Sequence, residues 1–192
     1  MTYFLVALVS YLIGSLPFSY IIAKVFFKKD IRSLGSGNPG TTNVFRNFGA
    51  LAGCFTLFLD IAKGLIAVYI PLFFLGKKYA LIALIFVVLG HIFSIFLKFK
   101  GGKGVATSAG ALFAYDLRVF LVLLVIFIVI FLITRTVSKA SLSCAFLAPF
   151  ISYYFNGFEA FTIIILLVAI TVIFEHRSNI IRIKNKEEKK MF

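Results

Sequence analysis

The chain has 192 residues, of which 61% are hydrophobic, and its mean hydropathy is +1.06. A soluble domain is roughly 45–50% apolar, so the composition excludes an ordinary soluble protein and predicts one that is partly solvated by lipid. The net charge of +13 would suggest nucleic acid as the partner of a soluble protein. In a membrane protein, basic loops instead fix the topology and contact anionic lipid, so we expect membrane lipid and no nucleic acid as partner.

Apolar segments separated by polar loops predict an all-α integral membrane protein formed by one domain, 1–192. A span needs roughly 20 residues, and the predicted spans are 3–27, 49–75, 79–97, 119–134, 140–155 and 158–174, with polar loops such as 28–47 between them. The first apolar run has no basic residue before Lys24, so a cleaved signal peptide is not expected.

Charge decides whether the short apolar segment 105–115 also crosses the membrane. If it crosses, almost every basic residue lies on one face, and the other face has only Lys77, Lys78 and Arg118, with Lys63 inside the membrane. The positive-inside rule favours this arrangement. The sequence therefore predicts about seven transmembrane helices, with the N-terminus outside and the C-terminus in the cytoplasm.

The first polar loop has the composition of an anion-binding segment. It reads Gly35 to Arg46 as GSGNPGTTNVFR, in which glycines permit tight turns and close backbone approach. Ser, Thr and Asn supply neutral donors, and arginine supplies a fixed positive charge. These features favour phosphate binding over the alternative of a flexible Gly/Ser linker.

A second Gly-rich loop, 101–104, runs directly into a helix, which suits a phosphate at a helix N-terminus. Its spacing differs from that of a Walker A loop, and a basic loop that reaches the lipid surface is the alternative. The tail segment 176–182 reads HRSNIIR, so His176 is a candidate general base or hydrogen-bond donor, or else a structural histidine.

Several charged and polar residues lie within or beside the predicted spans, and each has a predicted role. Asp60 and Lys63 share a helix face and are predicted to form an ion pair that lines a polar cavity. A packing role and a site role both remain open for His91. Ser138 is expected to cap a helix, and Ser141 could donate to a substrate.

Several kinds of catalytic and metal site have no signature in the sequence. There is no GxSxG elbow, no HxxxxD pair and no acidic cluster for Mg²⁺ or Zn²⁺. Cys54 and Cys144 lie in apolar stretches without a CxxC pair, so they are read as small hydrophobic residues. We therefore expect no metal and no cofactor.

Together the three polar segments resemble the PlsY family of bacterial acyl-phosphate:glycerol-3-phosphate acyltransferases. The resemblance covers nearly the whole chain: GSGNPGTTNVFR, FKGGKGVAT (99–107, after Gly90 and His91) and HRSNIIR occur in the family's order. Asp60, Lys63 and Gly64 match its D-x-x-K-G, and Ser138 and Ser141 match its serines. The family usually has glycine at Lys186 and an aromatic residue at Thr136.

The resemblance implies a reaction at the cytoplasmic face of the bacterial inner membrane. A fatty acyl group would move from acyl phosphate to the 1-hydroxyl of glycerol-3-phosphate, giving lysophosphatidic acid and phosphate without direct use of acyl-CoA or acyl carrier protein. Residues expected to be catalytic are His176, Lys103 and Asn179. Those expected to bind the acyl phosphate are Ser36, Gly37, Asn38, Gly40, Thr41, Asn43, Gly101, Gly102, Lys103 and Gly104, and those for glycerol-3-phosphate are Arg46, Lys103, Ser141, His176, Arg177 and Asn179.

Two rival functions fit parts of the same sequence. A transporter of an organic phosphate or another anion would also use a basic, Gly-rich mouth, but no inverted repeat is evident. A non-catalytic lipid-binding scaffold would not need Arg, Asn, Lys and His gathered from three separate loops.

Overall fold

The structure is a computed structural model that describes residues 1–191. This part of the chain is helical, with two short 3₁₀ helices at Ile31–Ser33 and Ile95–Leu97 and no strand. The α-helices are α1 (Thr2–Ser15), α2 (Phe18–Phe27), α3 (Thr41–Leu75), α4 (Lys77–Ile92), α5 (Val105–Tyr115), α6 (Leu117–Thr134), α7 (Val137–Asn156), α8 (Ala160–Glu175) and α9 (Arg177–Lys184). The prediction of an all-α protein is confirmed for these residues.

Four helical segments in the described range are long and apolar enough to cross a membrane: Thr2–Phe27, Thr41–Leu75, Lys77–Leu97 and Leu117–Thr134. Helices α8 and α9 form a fifth if this pair, bent by 57°, is counted as one span. The sequence predicted more spans because it counted α5, which has 11 residues, and α7, which has three serines in its first seven residues. Length and apolarity thus support four or five spans.

Two predicted boundaries differ from the structure for local reasons. The predicted first span divides into α1 and α2 at Leu16 and Pro17, since proline has no N–H to continue the helical hydrogen bonds. The predicted loop 28–47 ends at Gly40, and α3 continues through a kink at Gly49, whose φ is +86°. That kink lies where the second span was predicted to begin.

The chain divides into two compact units, and the first comprises Met1–Tyr115. In this unit α1 packs along α4, and α3 packs on α5 and α4. Helices α3 and α5 approach closely, because a Cβ at Gly64 would collide with the Thr107 carbonyl and one at Gly110 would collide with the Ile61 carbonyl. Small residues at such contacts let membrane helices pack backbone against backbone, and this packing fixes the helices on which the first two motifs lie.

The second unit begins at Asp116, where α7 packs on both α6 and α8. The Asp116 carboxylate caps α6 by accepting hydrogen bonds from the amides of Arg118 (3.0 Å) and Val119 (3.3 Å). After α9 the tail folds back, and the Met191 amide donates to the Arg135 carbonyl at 2.8 Å. The tail is therefore tied to the start of the α6–α7 connection.

Candidate active site

The first motif forms a turn that leads into α3 and is shaped by Asn43, which is 4% exposed. The Asn43 Nδ2 donates to the Ile31 carbonyl at 3.1 Å and the Leu34 carbonyl at 2.9 Å. Its Oδ1 accepts from the Ser36 amide at 3.1 Å and from Asn47 Nδ2 at 3.0 Å. Both ends of the predicted phosphate-binding carboxamide are thus engaged within the protein, where they fix the shape of the turn.

The other predicted residues of this motif lie at or just before the N-terminus of α3. Ser36 is exposed, whereas Gly37, Asn38, Gly40 and Thr41 are partly buried. The Gly37 φ of +71° is one that glycine adopts without strain. A helix N-terminus carries partial positive charge and amides that suit an anion, so this geometry is compatible with a phosphate.

The two arginines of the first loop differ in their surroundings. Arg32 pairs with Asp30 at 2.7 Å, and hydrogen bonding from this guanidinium lowers the pKa of Asp30 to about 2. Arg46 is exposed on the second turn of α3. Of the two, Arg46 was the one predicted to bind substrate, and it is part of α3.

The second motif is a tight loop between the 3₁₀ helix Ile95–Leu97 and α5. The Gly101 amide donates to the Ile92 carbonyl at 2.8 Å, and the Gly102 amide donates to the His91 carbonyl at 3.1 Å. Lys103 is partly buried, and Gly104, with φ +84°, leads into α5. The first two amides of this predicted phosphate loop are therefore bonded to the end of α4, while Lys103 lies at the turn into α5.

Beneath this loop lies a buried polar cluster. Lys63 Nζ is 2.8 Å from Asp60 Oδ1 and donates to the Leu16 carbonyl at 2.8 Å. His91 Nδ1 lies 3.0 Å from Thr107 Oγ1 and 3.7 Å from Asp60 Oδ1. The predicted Asp60–Lys63 ion pair is confirmed, and His91 belongs to the same cluster.

A small cavity in the first unit brings the first two motifs together. Its lining includes Pro39 of the first motif, Gly101 and Gly102 of the second, and the paired residues Asp60 and Lys63. The ion pair thus lies at the wall of a small cavity. Residues from two loops that are about 60 positions apart in sequence share this lining.

The third motif begins at the bend between α8 and α9. His176 is 3% exposed, and its Nδ1 lies 2.7 Å from the Val172 carbonyl. Because a carbonyl only accepts hydrogen bonds, Nδ1 carries the proton, and in the neutral ring Nε2 is the basic nitrogen. Arg177 is exposed and lies 3.5 Å from Glu175, so the bend presents one buried and one exposed member of the predicted site.

The sequence reasoning missed Glu188, which joins the C-terminal tail to α7 and α9. Its Oε1 accepts from Ser138 Oγ at 2.8 Å and from Asn179 Nδ2 at 2.7 Å, and its Oε2 accepts from Arg182 Nε at 2.7 Å. Burial alone would raise the pKa of Glu188, but the hydrogen bonds from these three side chains outweigh it and hold the pKa below its ordinary value.

One position in the sequence does indicate the turn that brings Glu188 back to α9. Lys186 adopts φ +61°, the left-handed conformation that glycine favours after a helix, and the resemblance placed glycine at this position. The expectation that Ser138 caps a helix is wrong, because Thr136 is the N-cap of α7, no side chain makes a capping bond there, and Ser138 donates to Glu188 instead. Ser141 is buried three residues further along the same helix. Asn179 is thus fixed by a carboxylate that follows it by nine residues.

Among residues 1–191, no group of three or more His, Cys, Asp or Glu side chains is placed to hold a metal ion. The prediction of no metal and no cofactor stays a prediction.

Comparisons with known proteins agree over nearly the full length of the chain. The family profile described as glycerol-3-phosphate acyltransferase matches residues 4–186. Glycerol-3-phosphate acyltransferase 2 of Lactobacillus acidophilus is 48% identical over 94% of this chain and 86% of its own length. The glycerol-3-phosphate acyltransferase of Pelagibacter ubique is 44% identical over 99% of this chain and 98% of its own length.

Comparison with solved structures also indicates a glycerol 3-phosphate acyltransferase. The crystal structure of PlsY, an integral membrane glycerol 3-phosphate acyltransferase, in its glycerol 3-phosphate form has a TM-score of 0.94 and 33% identity, over 99% of this chain and 96% of that one. Its lysophosphatidic acid form has a TM-score of 0.90, over 99% and 95% of the two chains. On sequence and fold alike, this chain belongs to the glycerol-3-phosphate acyltransferase family.

Proposed function

We propose that this protein transfers a fatty acyl group from acyl phosphate to the 1-hydroxyl of glycerol-3-phosphate, the first acylation step of phospholipid synthesis. The observation that carries the proposal is the likeness over nearly the full chain to a solved acyltransferase in its glycerol 3-phosphate form. The acceptor follows from that family. The acyl-phosphate donor rests on the three motifs and on the chemistry of the bond to be broken.

An acyl phosphate is a mixed anhydride, so its phosphate leaves without strong acid assistance. Such a reaction needs no covalent enzyme nucleophile, and it requires chiefly that two anionic substrates be held in the right orientation. The chain offers glycine turns, helix N-termini and cationic side chains for this task. Charge-assisted hydrogen bonds contribute about 1.5–3 kcal/mol each, so several of them would hold both phosphates.

In the first unit, we assign the turn before α3 and the loop before α5 to the acyl phosphate. Lys103 and Gly104 lead into α5, while Gly101 and Gly102 shape the loop through their bonds to α4. In the first motif, Asn43 shapes the turn, and the residues that would contact phosphate are Ser36, Gly37, Asn38, Gly40 and Thr41. Lys103 and Arg46 also supply positive charge for glycerol-3-phosphate.

In the second unit, we assign Ser141, His176, Arg177 and Asn179 to glycerol-3-phosphate. Burial of His176 and its bond to Val172 leave Nε2 as the basic nitrogen. Asn179 is held by Glu188, which orients its carboxamide. These contacts suit groups that must meet a substrate in a fixed orientation.

The reaction joins the hydroxyl oxygen of glycerol-3-phosphate to the acyl carbon and breaks the bond between that carbon and the phosphate oxygen. Phosphate leaves with the electron pair, and the hydroxyl proton passes to His176 or to an oxygen of the acyl phosphate. The variants His176→Ala and His176→Gln distinguish these routes. A strong loss of turnover in both supports the histidine, and near-normal turnover in both contradicts it.

We further propose that residues 1–192 form one catalytic domain with seven transmembrane helices, an external N-terminus and a cytoplasmic C-terminus. The distribution of basic residues supports this topology, with α5 and α7 as additional spans. The site would then face the cytoplasm from the bacterial inner membrane. Reporter fusions at each terminus test the orientation, and a C-terminal reporter that is active only outside the cytoplasm would contradict it.

The function is tested by supplying the purified, reconstituted protein with glycerol-3-phosphate and either long-chain acyl phosphate or acyl-CoA. Lysophosphatidic acid from acyl phosphate alone is the expected result. No product from a folded preparation would reject the proposal. Uptake of labelled glycerol-3-phosphate into liposomes without any acyl donor would then favour a transporter.

A further inference from the structure

The second-motif loop rests directly on the end of α4. Its Gly101 and Gly102 amides donate to the carbonyls of Ile92 and His91. A Cβ on Gly101 would collide with the His91 carbonyl, so backbone lies against backbone with no space between. The position of the loop therefore depends on how the last turn of α4 is held.

The His91 side chain is held by three neighbouring elements. A Cβ on Gly102 would collide with His91 Nε2, so the loop lies against that edge of the ring. The other ring nitrogen, Nδ1, lies 3.0 Å from Thr107 Oγ1 in α5 and 3.7 Å from Asp60 Oδ1 in α3. One buried ring thus contacts the loop, the helix that follows the loop, and the central helix α3.

The ion pair below His91 fixes this ring in turn. Asp60 and Lys63 are each 3% exposed at the side chain, and Lys63 also bonds to the Leu16 carbonyl at the break between α1 and α2. Apolar residues often stabilise a buried site as well as an ion pair does, and charges inside membrane spans are costly. Stability alone therefore does not explain a polar cluster that joins α1, α3, α4 and α5. A need to hold these helices and the His91 ring in a defined geometry explains it better.

We propose that His91 is a positioning residue for the acyl-phosphate subsite. Its ring contacts Gly102 in the loop and Thr107 in the first turn of α5, and it thereby fixes the position of the loop relative to that helix. Lys103 and the first amides of α5 then face the phosphate of the acyl donor. His91 does not touch the reacting atoms. The nature of the ligand rests on the proposed function, whereas the contacts among His91, Gly102 and Thr107 are independent of it.

The test removes the bond between His91 and Thr107 without changing side-chain shape. Thr107→Val replaces the hydroxyl with a methyl group, and Thr107→Ser retains the hydroxyl. Thr56→Val is the matched control, because Thr56 is equally buried and its hydroxyl bonds only to the Ala52 carbonyl one turn away. Steady-state assays with acyl phosphate and glycerol-3-phosphate varied separately give KM for each substrate.

We expect Thr107→Val to raise the KM for acyl phosphate about tenfold, as loss of roughly one buried hydrogen bond would. The kcat and the KM for glycerol-3-phosphate should stay close to those of the wild type. Thr107→Ser should recover most of the loss, and Thr56→Val should leave both KM values unchanged. A fall in kcat at constant KM, or an equal effect of Thr56→Val, would overturn the proposal.

A second measurement does not depend on catalysis. Hydrogen exchange of the Gly101 and Gly102 amides should be faster in Thr107→Val than in Thr56→Val, since both amides bond to the end of α4. Equal protection in the two variants would overturn the positioning role even in an active enzyme. A wild-type protein that forms no lysophosphatidic acid but shows the exchange difference would instead reject the proposed function and keep the role of His91 in holding the loop.

Discussion

Asp60 in the first unit and Glu188 in the second are buried carboxylates with a cationic partner, and their two partners differ in their access to water. In the first unit, Asp60 and Lys63 are each 3% exposed at the side chain. In the second, the Glu188 side chain is 5% exposed, but that of its partner Arg182 is 33% exposed. The first pair is wholly desolvated, and the second is a buried acceptor with a solvated donor.

This difference shows how the two units stabilise their polar groups. A desolvated pair is sensitive to loss of either member, because the remaining charge has no water to replace its partner. Glu188 has hydrogen bonds from Ser138 and Asn179 in addition to Arg182, so loss of its cation leaves other donors. The first network depends on one pair, and the second depends on the carboxylate at its centre.

The largest effect on stability is expected for Lys63→Met, which leaves Asp60 buried without its cation. Removal of one member of a buried pair costs about 3–5 kcal/mol, and unfolding of the detergent-solubilised protein by heat or denaturant measures the change. Arg182→Met is the matched substitution in the second unit and should cost about 1 kcal/mol. Equal losses in the two variants would contradict the distinction drawn from their exposure.

The centre of the second network is tested by Glu188→Ala. We expect kcat/KM for glycerol-3-phosphate to fall at least about tenfold, because Asn179 loses a charge-assisted hydrogen bond that contributes about 1.5–3 kcal/mol. Glu187→Ala removes the same charge from the neighbouring exposed position and should retain normal kinetics. If the two variants behave alike, Glu188 has no part in orienting Asn179.

Because Glu188 must be ionised to make these contacts, the stability of the folded protein should depend on pH. The pKa of Glu188 is lower in the folded protein than its ordinary value of 4.5, so its contribution is complete above that value and is lost as the pH falls below it. The difference in melting temperature between the wild type and Glu188→Ala should therefore be constant near neutral pH and shrink below about pH 4.5. A difference that grows on acidification would have the wrong sign.

A smaller effect is expected at Lys186, which precedes Glu188 in a left-handed conformation with φ +61°. Lys186→Gly should stabilise the folded tail by about 0.5–1 kcal/mol, because glycine adopts this conformation without strain. Lys186→Ala keeps the strain and removes the charge, so it should not be stabilising. Thermal unfolding of the two variants separates the backbone effect from the electrostatic one.

The sequence was most informative where the pattern is local. Apolar runs predicted the helical segments, and the spacing of Asp60 and Lys63 predicted their ion pair, because residues three apart lie on one helix face. The break at Pro17 was not predicted, because the sequence predicted 3–27 as one span. The start of α3 at Thr41 was read as loop, because the polar composition of its first turn resembles that of the preceding residues.

Contacts between distant positions were less accessible to sequence reasoning. Nothing in the spacing of His91 and Thr107 indicates that they meet, since they lie on separate helices, α4 and α5, that both pack on α3. Glu188 lies among lysines in a tail that looks solvated, and its burial depends on the turn at Lys186. The Asn43 carboxamide looked like a substrate ligand, but its partners became evident only when the turn was folded.

The central claim is that the acyl group passes from acyl phosphate to glycerol-3-phosphate, and the stoichiometry of the products tests it most directly. Phosphate and lysophosphatidic acid would be measured together in the reconstituted system, with and without glycerol-3-phosphate. The account predicts that phosphate and lysophosphatidic acid appear in equal amounts and that phosphate release stops when the acceptor is omitted. Phosphate release that continues without the acceptor, or that exceeds the lipid product, would contradict it, because the acyl group would then be transferred to water.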